Sequence, residues 1–587
     1  MALQFILGGS GSGKSYYAMS SFIAEAIAHP KEQYLIVVPE QFTMQTQKDI
    51  VRMHPNHGVL NIDILSFERL AYRVFEELGT DILEILDDTG KNLILRKVLE
   101  QVKPQLTVFA RKAGYQGFLE EIKSVLSEFG QYRIGEKALA DMEQKTTEKP
   151  LLSAKIKDIH TIYNSFQAMI QERYVTSEAL LEVLSRKIGE SQIVRGSSVL
   201  LDGYTGFTPV QYQFLEQLLL CSRNVVVTAI MSKYAYEKQP EEGELFGLSR
   251  SMLEKLTALA QQNGIAVKEP FWIPEPSYRF RDSESLAYLE RYLFMDGTHP
   301  VYQGKNQVSV HCAVSPSEEV VYTAAQIYHL VREKGYRYRD IAVITADMEG
   351  YYRLVRDIFA EQGIPAFIDH KRDILGNPCV ELIQSALLLL EQDFSYEAVF
   401  RYLKTGFTGL AETEVDLLEN YVLAMNIRGL SRWKKEWEKP SKTIPAAYLE
   451  PINRTRAKMM EQLVPFRTAM KKKGATVKQM MTALYQLLEN LQAREQLLHY
   501  AEYFQAEGQM DRSREYLQIW KTIMELFEKI VRLFGDMRIS IRELSDILES
   551  GFHEIKVAVI PPGLDEVTVG DTIRTRLTNI KVLFFLG

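Results

Sequence analysis

The sequence predicts an α/β protein with two parallel-sheet units, each carrying a mainly helical insertion. Three observations lead there. Short apolar, β-branched runs alternate with helical stretches up to about residue 75 and again from residue 307. Strand character returns after each of two long helical blocks. A Pro-, Gly- and polar-rich stretch at residues 270–306 separates the two alternating regions. At 587 residues the chain is too long for a single core, and its 46% hydrophobic and 25% charged composition is that of an ordinary globular protein.

In the first unit, the apolar run at residues 3–7 reads as a buried strand, and it leads into "GGSGSGKS". This fits G-x-x-x-x-G-K-[ST] through Gly8, Gly13, Lys14 and Ser15. Backbone N–H groups along Gly8, Gly9, Ser10, Gly11, Ser12 and Gly13 can cradle phosphate oxygens at a helix N-terminus, where the dipole favours negative charge. Lys14 is then placed to reach β- and γ-phosphates and Ser15 to ligate Mg²⁺, so ATP and Mg²⁺ are the expected cofactors. "YLIVVP", from Tyr34, reads as a second buried strand closed by Pro39, and "LNIDILSFERLAYRVF" as a third that runs into a helix near Phe67. From about residue 78 to 190 the pattern is helical. In "GFLEEIKSVLSEF" the spacing of Phe118, Ile122, Val125, Leu126 and Phe129 predicts a core-facing stripe. "SSVLLDGY" and "NVVVTAIM" then resume strand character and extend the first sheet.

In the second unit "VSVHCAV", "DIAVITA" and "IPAFID" read as strands. "SEEVVYTAAQIYHLVREKG" reads as the helix between the first two, with Ser317 as N-cap and Gly335 as stop. The next helical block, residues 395 to 550, repeats Trp520, Met524, Phe527, Val531 and Phe534 as a bundle-core stripe. "EIKVAVIPPGLDEVTVG" and "NIKVLFFLG" close the sequence as strands. Because the last run has central-strand character, the expectation is a segment of a longer protein.

The formal net charge of −7 excludes a uniformly basic surface and leaves room for a local basic channel. The densest basic run, Lys471 to Lys473, reads as a solvated helix end. Cys221, Cys312 and Cys379 lack metal or disulfide spacing and fit reduced, buried thiols. His311 and Cys312, as neighbours on a strand, would face opposite sides rather than chelate together. The first residues lack a basic n-region, and no apolar stretch reaches the roughly 18 residues of a membrane span. The expectation is a cytoplasmic protein without membrane contact.

Two α/β units with a P-loop only in the first resemble the UvrD-type superfamily 1 helicases. More narrowly, the chain resembles the N-terminal, helicase-like part of the B subunit of AddAB (RexAB) helicase–nucleases. "GGSGSGKS", "VVPEQFT", "ILSFERLAYRV", "LLDGYTGFTPVQ", "VREKGYRYRDIAVI", "IPPGLDEVTVG" and "VLFFLG" carry the resemblance, which covers essentially all 587 residues. It implies two RecA-like domains with ATP between them. Domain 1A would comprise residues 1–77 and 193–290, with insertion 1B at 78–192 and a linker at 291–306. Domain 2A would comprise 307–394 and 553–587, truncated, with insertion 2B at 395–552. The resemblance also implies an A-subunit partner in a heterodimer, double-strand DNA ends and single-stranded DNA as ligands, and double-strand break repair as the process. The nuclease domain of such proteins and its iron–sulfur cluster are expected only beyond this chain.

The motor motifs depart from the family pattern. An active enzyme has Asp-Glu at the end of its second ATPase strand, where Asp holds Mg²⁺ and Glu polarises the attacking water. Here "SVLL" ends in Asp202, expected with Ser15 at the Mg²⁺, but the next position is Gly203. After "VVVTAI", Met231, Ser232, Lys233 and Tyr234 match the next motif poorly, and Ala346 stands where a γ-phosphate arginine is expected. The resemblance therefore implies a nucleotide-binding protein with little or no hydrolysis that scans the 3′-ended strand for the Chi sequence. Gln41, Thr43, Phe67, Arg69, Tyr72 and Phe207 would be the DNA-binding residues, through amide, hydroxyl, guanidinium and stacking contacts. Alternatives stand beside these roles: burial for Phe67 and Tyr72, a surface pair with Glu68 or Asp63 for Arg69, and turn closure for Gln41. For the whole chain the alternatives are an active superfamily 1 helicase and an unrelated P-loop enzyme such as a small-molecule kinase.

Overall fold

The computed structural model describes residues 1–58, 61–79, 84–170, 173–238, 244–274, 277–295, 299–370, 372–442, 444–557, 565–573, 575, 577 and 579–587. The chain forms two compact units. One comprises Met1–Leu86, Ser124–Tyr163 and Ile170–Glu319; the other comprises Asp87–Lys123, Asn164–Met169 and Val320–Gly587. Each is α/β and is built on a parallel sheet.

The first unit opens with β1 (Ala2–Gly8), α1 (Lys14–Ala28), β2 (Tyr34–Val37), α2 (Thr43–Met53), β3 (Ile62–Leu65) and α3 (Phe67–Leu78). A short parallel pair follows, β4 (Glu84–Leu86) with β5 (Tyr174–Thr176), and between them the chain is helical. The main sheet then resumes with β6 (Ser198–Leu201) and β7 (Asn224–Ile230) and ends with β8 (Ala266–Val267) and β9 (Phe271–Trp272). Its order is β3-β2-β6-β7-β1-β8, with β9 also paired to β1, and every pairing is parallel. The strands after the helical block thus rejoin the sheet begun before it, as the apolar runs predict.

Every residue of β2 is buried, which explains why it reads as an unbroken apolar run rather than an alternating one. Alternate residues still go to different cores. Leu35 and Val37 join the cluster that holds Leu3, Phe5 and Leu7, whereas Tyr34 and Ile36 join the opposite cluster with Ile6, Phe22 and Ile23. Helix α3 is bounded as its sequence suggests. The Ser66 hydroxyl accepts from the Arg69 amide, and Gly79 closes the helix at φ 58°.

The second unit contains β10 (Ile341–Thr345), β11 (Ala366–Ile368), an antiparallel pair β12 (Arg372–Asp373) and β13 (Lys556–Val557), then β14 (Val567–Asp571) and β15 (Val582–Leu586). Its parallel sheet runs β11-β14-β10-β15, so the fully buried β10 is flanked by strands that follow the long helical block. Within this unit the helix Asp88–Val102 packs on the helix Ile541–Glu554, fastened by Lys97 to Glu543 at 2.6 Å and by Asn92 to Glu554 at 3.0 Å. Residues 558–564, part of the expected "KVAVIPPGL" strand segment, lie outside the described residues.

Several expectations are corrected. "VSVHCAV", residues 308–314, is not a strand: Val310 and Val314 are 91% and 98% exposed, and no described strand pairs with the segment. Apolar alternation makes a strand only where a neighbour satisfies the backbone groups. Cys312, within it, is exposed rather than buried. The helix Pro316–Glu333 is capped by Ser315, whose hydroxyl accepts from the Glu318 amide, and not by Ser317; proline at the first helical position fits this register. In the helix Met510–Phe534 the core stripe is Ile519, Ile523, Leu526, Phe527, Ile530 and Phe534, leaving Trp520, Met524 and Val531 at its half-buried flanks. In Gln116–Tyr132 the buried positions are Leu119 and Ile122, while Phe118, Val125, Leu126 and Phe129 are half-buried. No helix among the described residues is long and apolar enough to cross a membrane.

Candidate nucleotide-binding site

The loop between β1 and α1 takes its shape from three glycines. Gly11 and Gly13 have φ of 69° and 98°, where a side chain is strained, and a Cβ on Gly8 would meet Ser12 Oγ at 2.7 Å. Lys14 is 8% exposed. Its Nζ donates to the Gly9 carbonyl at 2.7 Å and lies 3.5 Å from Ser12 Oγ, bent back over the loop. Burial lowers its pKa to about 8, against the favourable charges of Asp202 and Glu290, while Arg279 adds to the lowering.

Asp202 reaches the loop through sheet register. Because Leu201 pairs with Val227, Asp202 falls beside Thr228 on β7, and its Oδ1 accepts from Thr228 Oγ1 at 2.6 Å and from Ser15 Oγ at 2.8 Å. The side chain is completely buried, and Oδ2 has no hydrogen-bond partner. A buried carboxylate oxygen left without a donor suits a cation or its water, so Ser15 and Asp202 fit the Mg²⁺ that accompanies a nucleotide. That ion would neutralise phosphate charge. The next residue, Gly203, has φ 84°, with Pro39 Cδ 3.6 Å from the site of a Cβ. No carboxylate stands there.

Residues 270–306 read in sequence as a connection, yet in the fold they supply neighbours to this loop. Arg279 N donates to the Gly11 carbonyl at 3.0 Å, and a Cβ on Gly11 would lie 2.7 Å from Arg279 Cβ. Tyr278, 63% exposed, carries the Arg281 guanidinium 4.4 Å from its ring centroid. Glu290 Oε1 accepts from the Ser10 amide at 2.8 Å. The one signal for these neighbours was the density of basic and aromatic residues in "SYRFR".

The strand-end residues expected to meet DNA separate into two groups. Gln41 lies exposed in the turn Glu40–Phe42 after β2. Arg69 is exposed and pairs with Glu40 at 2.9 Å, rather than with Glu68 or with Asp63, which accepts instead from Gln33. Tyr72, 44% exposed, is one turn along α3 from Arg69 and so shares its face. Phe67 and Thr43 belong to the other group. Phe67 is 8% exposed and packs on Tyr204, Phe207 and Phe214 at centroid distances of 5.3, 6.1 and 5.5 Å, so its ring is core and not a stacking platform. Thr43 is buried, and its hydroxyl donates to the Glu40 carbonyl at 2.8 Å, which commits it to the turn. Phe207 is half-buried over the same cluster. Burial raises the pKa of the Tyr204 hydroxyl, with the Asp202 and Glu40 charges adding to it.

Residues 5–290 match the family described as ADDB, N-terminal. The chain is 42% identical over 594 residues to the B subunit of the ATP-dependent helicase/deoxyribonuclease of Lachnoclostridium phytofermentans, covering 100% of this chain and 52% of that protein. It is 35% identical over 588 residues to the protein of the same name from Clostridium novyi, covering 100% of this chain and 51% of the relative. To that of Acetivibrio thermocellus it is 34% identical over 600 residues, with 100% and 52% covered. The chain spans about half the length of the curated relatives it matches.

Proposed function

Because this chain belongs to the ADDB family of helicase/deoxyribonuclease B subunits, we propose that it is a nucleotide-binding, DNA-scanning module rather than a motor. It would bind MgATP through Gly8 to Ser15 and Asp202, turn it over slowly or not at all, and pass the 3′-ended single strand across the strand ends near Gln41, Arg69 and Tyr72. In this reading the translocating power comes from an A-type partner, and the heterodimer processes double-strand DNA ends for recombinational repair, with Chi as the sequence scanned. One observation carries the proposal. Lys14, Ser15 and Asp202 converge as a nucleotide site requires, while the position after Asp202 is a glycine in left-handed backbone. Phosphate binding needs the first three groups and hydrolysis needs the carboxylate that is missing. The test is equilibrium binding of MgATP together with steady-state turnover, with and without single-stranded DNA. Tight binding without turnover supports the proposal, and DNA-stimulated turnover overturns it in favour of an active helicase.

The lowered pKa of Lys14 makes a further expectation. Phosphate favours the charged ammonium, so bound nucleotide raises the pKa above its free value of about 8. Below pH 8 the affinity is flat. Above it the free protein must take up a proton to bind, and the affinity falls by up to about tenfold per pH unit. Calorimetry across pH 7 to 9.5 in buffers of different ionisation enthalpy reads this uptake directly; an affinity flat to pH 9.5 would contradict it.

For the strand-end surface, Arg69→Ala and Tyr72→Ala should each weaken single-stranded DNA binding by roughly three- to tenfold, through a lost phosphate or base contact and a lost stacking surface. The Arg69–Glu40 pair is exposed on both sides, so breaking it costs the fold little. Fluorescence anisotropy at two salt concentrations separates the two variants, because only Arg69→Ala should flatten the salt dependence. Wild-type affinity in both would remove DNA from this surface.

A further inference from the structure

We infer that Glu290 guards the phosphate seat of the P-loop, so that a nucleotide enters only by displacing this chain's own carboxylate. The inference rests on the nucleotide-binding reading above and concerns the regulation of that same site. Glu290 Oε1 takes the Ser10 amide at 2.8 Å, a donor contact of the kind a phosphate oxygen would make. The carboxylate lies against the loop with Oε1 leading: a Cβ on Gly9 would be 2.3 Å from Oε1 and 3.2 Å from the carboxyl carbon. It also supplies part of the negative field around the Lys14 ammonium that phosphates would otherwise provide.

The segment bearing Glu290 is held at several points. The Arg279 amide donates to the Gly11 carbonyl, so the segment meets the loop near both of its ends. Its helix, Glu284–Tyr292, is capped by Ser283. Ser285 is buried, and its hydroxyl accepts from the Gln307 amide at 3.1 Å. Glu290 is exposed and meets the Ser10 amide at the surface, so the competition is for one donor: that N–H gives its hydrogen bond to the carboxylate or to a phosphate oxygen, not to both. The carboxylate and a phosphate group therefore exclude one another. The apparent affinity for nucleotide is the intrinsic affinity reduced by the fraction of molecules in which Glu290 has swung away.

The experiment compares MgATP, pyrophosphate and adenosine binding to wild type, Glu290→Gln, Glu290→Ala and Lys14→Ala, with Glu284→Gln as a charge control on the same helix. Glu290→Gln preserves shape and removes the charge, and it should tighten MgATP and pyrophosphate by about tenfold, with Glu290→Ala at least as tight. Adenosine binding and the Glu284→Gln protein should not change. If Lys14-dependent binding is present and both Glu290 variants match wild type, the gate is wrong while the P-loop reading stands. If neither wild type nor Glu290→Gln binds MgATP in a Lys14-dependent way, the P-loop reading fails, and the gate fails with it.

Discussion

Replacing Lys14 with alanine is expected to lower MgATP affinity by about one to two orders of magnitude without lowering the melting temperature. A charge-assisted contact to phosphate contributes about 1.5–3 kcal/mol, and each 1.4 kcal/mol is tenfold in affinity. The absence of a stability penalty follows from the sign of the pKa shift. The Lys14 ammonium binds its proton less tightly in the folded chain, at about 8, than the 10.5 of an exposed lysine. In that window the unfolded state holds more protons, so this group's contribution to stability rises with pH, and at neutral pH the buried charge is a cost rather than a gain. Lys14→Ala removes it. Calorimetric binding together with thermal melts measures both halves of the expectation. An alanine variant that binds like wild type would show that nucleotide, if bound at all, sits elsewhere.

The second large effect is on chemistry. ATP turnover by this chain is expected to lie two to four orders of magnitude below that of a comparable enzyme with a carboxylate after its second ATPase strand, since that is the usual cost of losing a positioned base. Restoring the missing residue alone should not restore the rate. Gly203 has φ 84°, a conformation that costs a side-chain-bearing residue on the order of 1–2 kcal/mol. Space is not the obstacle, since a Cβ there would make ordinary contacts of 3.6 Å to Pro39 Cδ and 3.8 Å to Phe42 Cδ2; the backbone conformation is. Gly203→Glu should therefore be less stable and equally slow. Phosphate release at saturating MgATP, with and without single-stranded DNA, decides the matter. A variant that becomes DNA-stimulated would mean that the backbone relaxes and that only the carboxylate was lacking.

Much of this site was legible without a structure because its parts are local. The P-loop is eight consecutive residues whose glycines have their own backbone reasons to be there, and Lys14 and Ser15 follow from the same turn. Asp202 was found at the end of an apolar strand, and the sheet register that sets it beside Thr228 explains how it comes to Ser15. The group proposed to meet DNA is legible only as a neighbourhood. Gln41, Arg69 and Tyr72 stay exposed beyond β2 and β3, but Phe67 is a core ring, Thr43 is a turn-closing hydroxyl, and Arg69 pairs with Glu40 over carboxylates nearer in sequence. Whether an aromatic at a strand-to-helix junction is buried depends on what stands opposite, here Tyr204, Phe207 and Phe214.

Hydrophobic period and turn chemistry act over windows of a few residues, so the longer strands of both sheets, the two helical interruptions and the glycine-rich turn are readable from the chain alone, while the two-residue strands β8 and β9 beside β1 are not. Tertiary structure alone decided the rest. It left residues 308–314 without a strand partner, shifted the core stripe of Met510–Phe534 to Ile519 and Ile523, and laid Arg279 and Glu290 on a loop some 280 residues away. A side chain's partner across that separation is set by which loops the sheet order brings to one edge, and nothing in the local pattern around either residue encodes that choice.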